Sequence, residues 1–163
     1  MTKHFLAVLF AMTVIFTMTV IATGADQVPF VATFTSSAPG GNVPTCNAAY
    51  PVPISLIGSG QATHLGLFTE TQSHCLNPAT LEFALGQFTF TSANGDTVSG
   101  TYSGHLVITG PTSADIYGVF VFSGGTGRFA GATGGGSATG TLDLITGEAN
   151  DLFLKGTISR PNH

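Results

Sequence analysis

Gly124-Gly125-Thr126-Gly127-Arg128-Phe129-Ala130-Gly131-Ala132-Thr133-Gly134-Gly135-Gly136 follows the apolar run Ile116-Tyr117-Gly118-Val119-Phe120-Val121-Phe122 and is too glycine-dense for a helix. It reads as a tight corner whose backbone uses positive-φ positions, with Gly124, Gly125, Gly127, Phe129, Gly131 and Gly134 as its structural residues. Gly125-Thr126-Gly127-Arg128-Phe129-Ala130 formally matches the dinucleotide fingerprint GxGxxG/A, but that motif works only between a strand and a helix of a parallel βαβ unit. No segment nearby carries a helical apolar period, so the corner is structural and no cofactor is implied.

Outward from the corner, short alternating runs bounded by Gly, Pro, Asn and Asp recur throughout the chain beyond its N-terminus. They predict strands near 28–35, 52–57, 60–73, 81–92, 97–109, 115–123, 137–145 and 151–159. Asn94-Gly95, between Phe88-Thr89-Phe90-Thr91 and Thr97-Val98-Ser99, predicts a type I′ hairpin. In the strand before it, apolar parity shifts from Phe83 and Leu85 to Phe88 and Phe90, the mark of a β-bulge at Gly86.

In the strand after the hairpin, alternation turns Val98, Gly100, Tyr102, Gly104, Leu106 and Ile108 inward and Ser103 and His105 outward. The 116–122 strand is apolar on both faces, which predicts one face in the core and the other against a neighbour, making it the candidate surface for a homo-oligomer. About eight antiparallel strands with glycine bends predict an all-β, up-and-down barrel, with a two-sheet sandwich as the structural rival. Closure has the advantage of removing edge strands from a weakly charged, Thr-rich sheet.

The corner, with Arg128 between glycine and Phe129, resembles that of the barrel superfamily containing allene oxide cyclases and plant dirigent proteins, and in particular its small exported members of unknown function. The segment Gly58-Ser59-Gly60-Gln61-Ala62-Thr63-His64-Leu65-Gly66-Leu67-Phe68-Thr69-Glu70 is a second patch that looks like those exported barrels. The resemblance implies a calycin/allene oxide cyclase-like barrel, with Phe129 as a plug of the core. It carries no catalytic residue across, because no motif outside the corner anchors one.

Lys3 and His4, the apolar run from Phe5 to Ala22 and the small residues Ala22-Thr23-Gly24-Ala25 have the order of a secretory signal, predicting a signal helix over 1–25 and a single β-barrel domain over 26–163. An uncleaved membrane anchor is the competing reading, since about 18 apolar residues can just span a bilayer. The signal reading implies a secreted, periplasmic or extracellular protein with no stable membrane insertion after cleavage. Cys46 and Cys75, the only cysteines, would then most simply form a disulfide; a metal site is the weaker alternative, as neither belongs to a CxxC pair.

Beyond residue 25 the basic residues are Arg128, Lys155 and Arg160, against eight acidic residues in a chain of net charge −4, so nothing collects phosphate backbones and nucleic acid is excluded as a partner. No HExxH, GxSxG or Walker pattern occurs, and no metal is implied. His64, Phe68, Glu70, Gln72 and His74 share strand parity, yet His64 and Glu70 would lie ~20 Å apart on a regular strand and cannot form one dyad. His74, beside Cys75 at a strand end, is expected at the surface. The ligand-binding candidates are His64, Glu70, Tyr102, Tyr117 and Arg128, around a lumen lined by Phe88, Phe90, Tyr102, Tyr117 and Phe120. Three functions fit: binding of a small apolar ligand, cyclase- or dirigent-like control of a reactive intermediate, and a noncatalytic structural or interaction role.

Overall fold

The computed structural model describes residues 26–159, so the expected signal segment lies outside the described residues. Eight strands run in chain order: β1 (Gln27–Ser37), β2 (Val52–Ala62), β3 (Gly66–Asn77), β4 (Glu82–Ser92), β5 (Thr97–Gly110), β6 (Ser113–Gly125), β7 (Gly134–Asp143) and β8 (Ala149–Ser159). Each pairs antiparallel with the next, and β1 pairs with β8 to close the barrel. The sandwich alternative is thereby set aside.

Interior packing follows from an alternation of bulk between strands. β1, β4 and β6 turn phenylalanines inward (Phe30 and Phe34; Phe88 and Phe90; Phe120 and Phe122), and these rings meet at centroid distances of 4.9–6.4 Å in mostly edge-on contacts. Between them, β2 and β5 supply inward glycines, Gly58 and Gly60 on the first and Gly100 and Gly104 on the second. A Cβ on Gly100 would run into the Phe88 ring at 2.5 Å, and one on Gly104 into the Phe83 ring at 2.6 Å, so the lumen is filled ring against backbone.

The glycine corner closes one end. β6 stops at Gly125, a single 3-10 turn (Gly127–Phe129) follows, and Phe129, 1% exposed, is driven into the core. Gly127 has φ +55 and a Cβ there would collide with the Asp96 carboxylate, so this position requires glycine on two counts. Leu65, from the β2–β3 turn, is buried at the same end.

Six local expectations are corrected. The predicted strand 60–73 is a hairpin: β2 runs to Ala62, Thr63-His64-Leu65 turn with His64 at φ +67, and β3 starts at Gly66. The bulge in β4 falls at Leu85 (φ +58) rather than Gly86, which sends Leu85 outward and restores Phe88 and Phe90 to the lumen. At Asn94-Gly95 only Gly95 (φ +89) is left-handed and its N–H bonds to the Ser92 carbonyl, the geometry of a type I turn followed by an αL glycine rather than type I′. Tyr117 lies on the outer wall, and His74 is inside rather than at the surface. Ile108, expected inward, is exposed, because the pairing of β5 with β6 shifts register between Ile108 and Gly110.

Candidate functional site

Phenylalanines fill the half of the lumen nearest the corner, but toward the opposite end β6 and β7 offer Gly118 and Ala138 in place of rings. Less bulk there leaves a cavity of about 220 Å³, bounded by Leu56, Phe83, Phe88, Phe120, Leu142, Leu152 and Leu154 among others. The lining is almost wholly apolar. Its polar side chains come chiefly from two strands: Gln72 and His74 on β3 and Tyr102 on β5.

Period-two geometry explains the polar side of the wall. Phe68, Glu70, Gln72 and His74 occupy alternate positions of β3 and turn inward together. Gln72 spends its Nε2 on the Ser36 hydroxyl of β1 at 2.9 Å. His74 Nδ1 and the Tyr102 hydroxyl share a hydrogen bond of 2.7 Å, with the rings edge to face at 5.6 Å, and Phe83 packs on the imidazole at 5.1 Å. Gly86 makes room for the phenol, since a Cβ there would lie 2.7 Å from the Tyr102 ring.

Burial sets the charge state of all three titratable groups. It pushes the His74 imidazole down to about 4, so the ring is neutral at pH 7. Glu70 is raised to about 8 by the same cause and carries its proton at pH 7. The Tyr102 phenol is raised by burial and then by the Glu70 charge. Glu70 itself is 2% exposed, and neither carboxyl oxygen has a hydrogen-bond partner. The carboxyl lies over Gly58, where a Cβ would come within 2.8 Å of Oε2.

Of the five ligand candidates, Tyr102 lines the cavity, whereas Glu70, one inward position along β3 from Gln72, lies outside its lining and borders a separate groove with Ser36, Gly58 and Glu148. His64 sits in the β2–β3 turn with Nε2 3.1 Å from the Pro29 carbonyl oxygen, at the plugged end. Arg128 belongs to the corner, where it pairs with Asp96 at 3.6 Å and lies over its own neighbour Phe129. Tyr117 stacks on His105 on the outer wall, beside exposed Val119 and Val121. Sequence reading missed His74 and Gln72 as wall residues; the signal was present in their shared parity with Phe68 and Glu70.

Cys46 and Cys75 are bonded, which ties the 38–51 segment to β3, and a disulfide belongs to an oxidising compartment. Among the described residues no cluster of three or more His, Cys, Asp or Glu side chains could hold a metal ion, and no helix is long and apolar enough to cross a membrane. No family model, curated protein or solved structure matches the chain.

Proposed function

We propose that this is an exported barrel that binds one small, largely apolar molecule in its lumen. The observation that carries the reading is the 220 Å³ cavity with apolar walls and a polar side made by Gln72, His74 and Tyr102. Apolar pockets with a few convergent polar groups are the usual form of small-molecule sites, the walls supplying affinity and the polar groups orientation. A dry cavity of roughly 150 Å³ accepts benzene, so this volume suits a single ring with a short substituent. Export is supported by the disulfide and by the signal-like N-terminus. The likeness of the corner to allene oxide cyclase and dirigent barrels is compatible with the same lumen holding a reactive intermediate.

Titration with 2-phenylethanol, followed by calorimetry or protein NMR, tests the reading. Saturable one-to-one binding is expected, and Ala138→Phe, which places a ring in the cavity, should abolish it while the far-ultraviolet spectrum stays that of the native barrel. Binding that survives Ala138→Phe, or no binding to the native protein at millimolar probe, would refute it.

A further inference from the structure

The His74–Tyr102 pair holds two exchangeable protons and uses one. The 2.7 Å bond between Nδ1 and the phenol oxygen takes a single proton, and neutral imidazole and phenol bring one each. Where the phenol donates, Nε2 carries the spare N–H; where Nδ1 donates, the phenol O–H is spare and Nε2 keeps its lone pair. Either tautomer leaves one donor and one acceptor over. Among the described residues Nε2 has no hydrogen-bond partner, and the Tyr102 hydroxyl has none besides Nδ1. The sealed, partnerless side-chain atoms of the described residues are the two Glu70 oxygens and Arg128 Nε, so His74 Nε2 keeps open surface, and the void its ring borders is the cavity.

The spare donor is where a ligand has most to gain, because a buried N–H without an acceptor is rarer in folded proteins than an acceptor with a free lone pair. Gln72 adds a further acceptor on the same side: its Nε2 donates to Ser36, and its amide oxygen is unspent. Charge is missing from this wall. No Asp, Glu, Lys or Arg among the described residues lines the cavity, and burial keeps the His74 ring neutral at pH 7. Glu70 and Glu148 border the separate groove, Arg128 pairs with Asp96 at the corner, and Lys155 is exposed. An ionic headgroup in this lumen gives up its hydration and meets no counter-charge.

We infer that the lumen takes an uncharged, oxygen-bearing hydrophobe, a small ketone or alcohol, whose oxygen accepts the spare proton of the His74–Tyr102 pair while its hydrocarbon body lies against the apolar walls. The inference rests on the binding function proposed above and adds the ligand's class. A ketone oxygen meets the donor in either tautomer and brings no proton that needs placing. The proton of an alcohol finds its acceptor in the remaining lone pair of the pair or in the Gln72 oxygen. Amines and carboxylic acids, ionised at pH 7, are disfavoured by the same uncharged wall.

Four probes of nearly equal size separate the possibilities: acetophenone, 1-phenylethylamine, benzoate and isopropylbenzene, each titrated into the native protein at pH 7. Acetophenone is expected to bind one-to-one, and the amine and benzoate at least about tenfold more weakly, the cost of an uncompensated charge. Infrared difference spectra of carbonyl-labelled acetophenone should show its C=O stretch below the position found in hydrocarbon solvent, the signature of an accepted hydrogen bond. The double variant His74→Leu, Tyr102→Phe should return that band to the hydrocarbon position, and the native spectrum stands independently of how well the variant folds. A native band at the hydrocarbon position, or a band unmoved in a folded double variant, overturns the oxygen contact. Amine or benzoate binding as tight as acetophenone overturns the uncharged class. Each of these results leaves the binding barrel intact, as does binding of isopropylbenzene alone, which also overturns the oxygen contact. Failure of all four probes overturns both readings.

Discussion

Replacing Glu70 by Gln should abolish the barrel's pH dependence on its alkaline side. Burial holds the folded-state pKa near 8, against 4.5 when the chain is unfolded, so between those values the native protein binds one proton more than the unfolded chain. Stability from this group is fully present below pH 4.5 and is lost as pH rises toward 8, at up to about 1.4 kcal/mol per unit. Over the full window the loss is at most about 5 kcal/mol, 3.5 units at 1.36 kcal/mol each. His74 acts in the other direction. Its pKa near 4, against 6.5 unfolded, means that stability is lost as pH falls from 6.5 to 4. The two slopes oppose each other between about 4.5 and 6.5, so the native protein should be most stable on a plateau there. It should then lose about 2 kcal/mol by pH 8, or some 6–8 °C in Tm. The Glu70→Gln variant should rise with pH to 6.5 and then stay level. Thermal unfolding by circular dichroism at half-unit steps from pH 4 to 9 reads both curves. Parallel curves for the two proteins above pH 6.5 would refute the buried, protonated state of Glu70.

Reducing the Cys46–Cys75 disulfide, which closes 29 residues of sequence separation, should cost about 3–4 kcal/mol on the chain-entropy relation, read from urea unfolding with and without reductant; an unchanged midpoint would mean that the 38–51 segment is held by other contacts. Gly127→Val should lower stability by at least about 2 kcal/mol, because the left-handed backbone and the displaced Asp96 carboxylate both oppose a side chain, and its soluble yield should fall sharply; native stability would contradict the corner. Tyr102→Phe removes the His74 partner inside the lumen and should cost about 1–2 kcal/mol, whereas His105→Ala on the outer wall should stay within about 0.5 kcal/mol. Equal, small effects in the two variants would reject the assigned facing of β5.

Alternation made the barrel legible before its geometry. The expected inward row Val98, Gly100, Tyr102, Gly104, Leu106 and Ile108 is observed as far as Leu106, because a regular strand with one buried face leaves a period-two signature, and it fails at Ile108, where the β5–β6 register shifts and the side chain is exposed. Phe129 and the positive-φ glycines of the corner were readable because glycine density has few other uses. Parity failed where the backbone broke the period. His64 and Leu85 both adopt positive φ without being glycine, which no composition rule flags, so a hairpin was read as a long strand and Leu85 was turned inward. Tyr117 was misplaced for another reason: β6 is apolar on both faces, and two apolar faces give alternation nothing to choose between. The candidate site was half visible. Tyr102 and Glu70 stood out as inward polar residues, but the pairing of His74 with Tyr102 joins strands 28 residues apart in sequence and depends on a register that only the closed barrel supplies.

The central claim is that the lumen between Gly118, Ala138 and the β3 wall is an occupied site rather than a packing defect. Methyl-detected NMR of the full barrel domain with 2-phenylethanol tests it most directly. The account predicts intermolecular NOEs from the probe's ring to the methyls of Leu142, Leu152 and Leu154, all of which line the cavity. NOEs confined to the outward Val119 and Val121 methyls, or none at saturating probe, would contradict it.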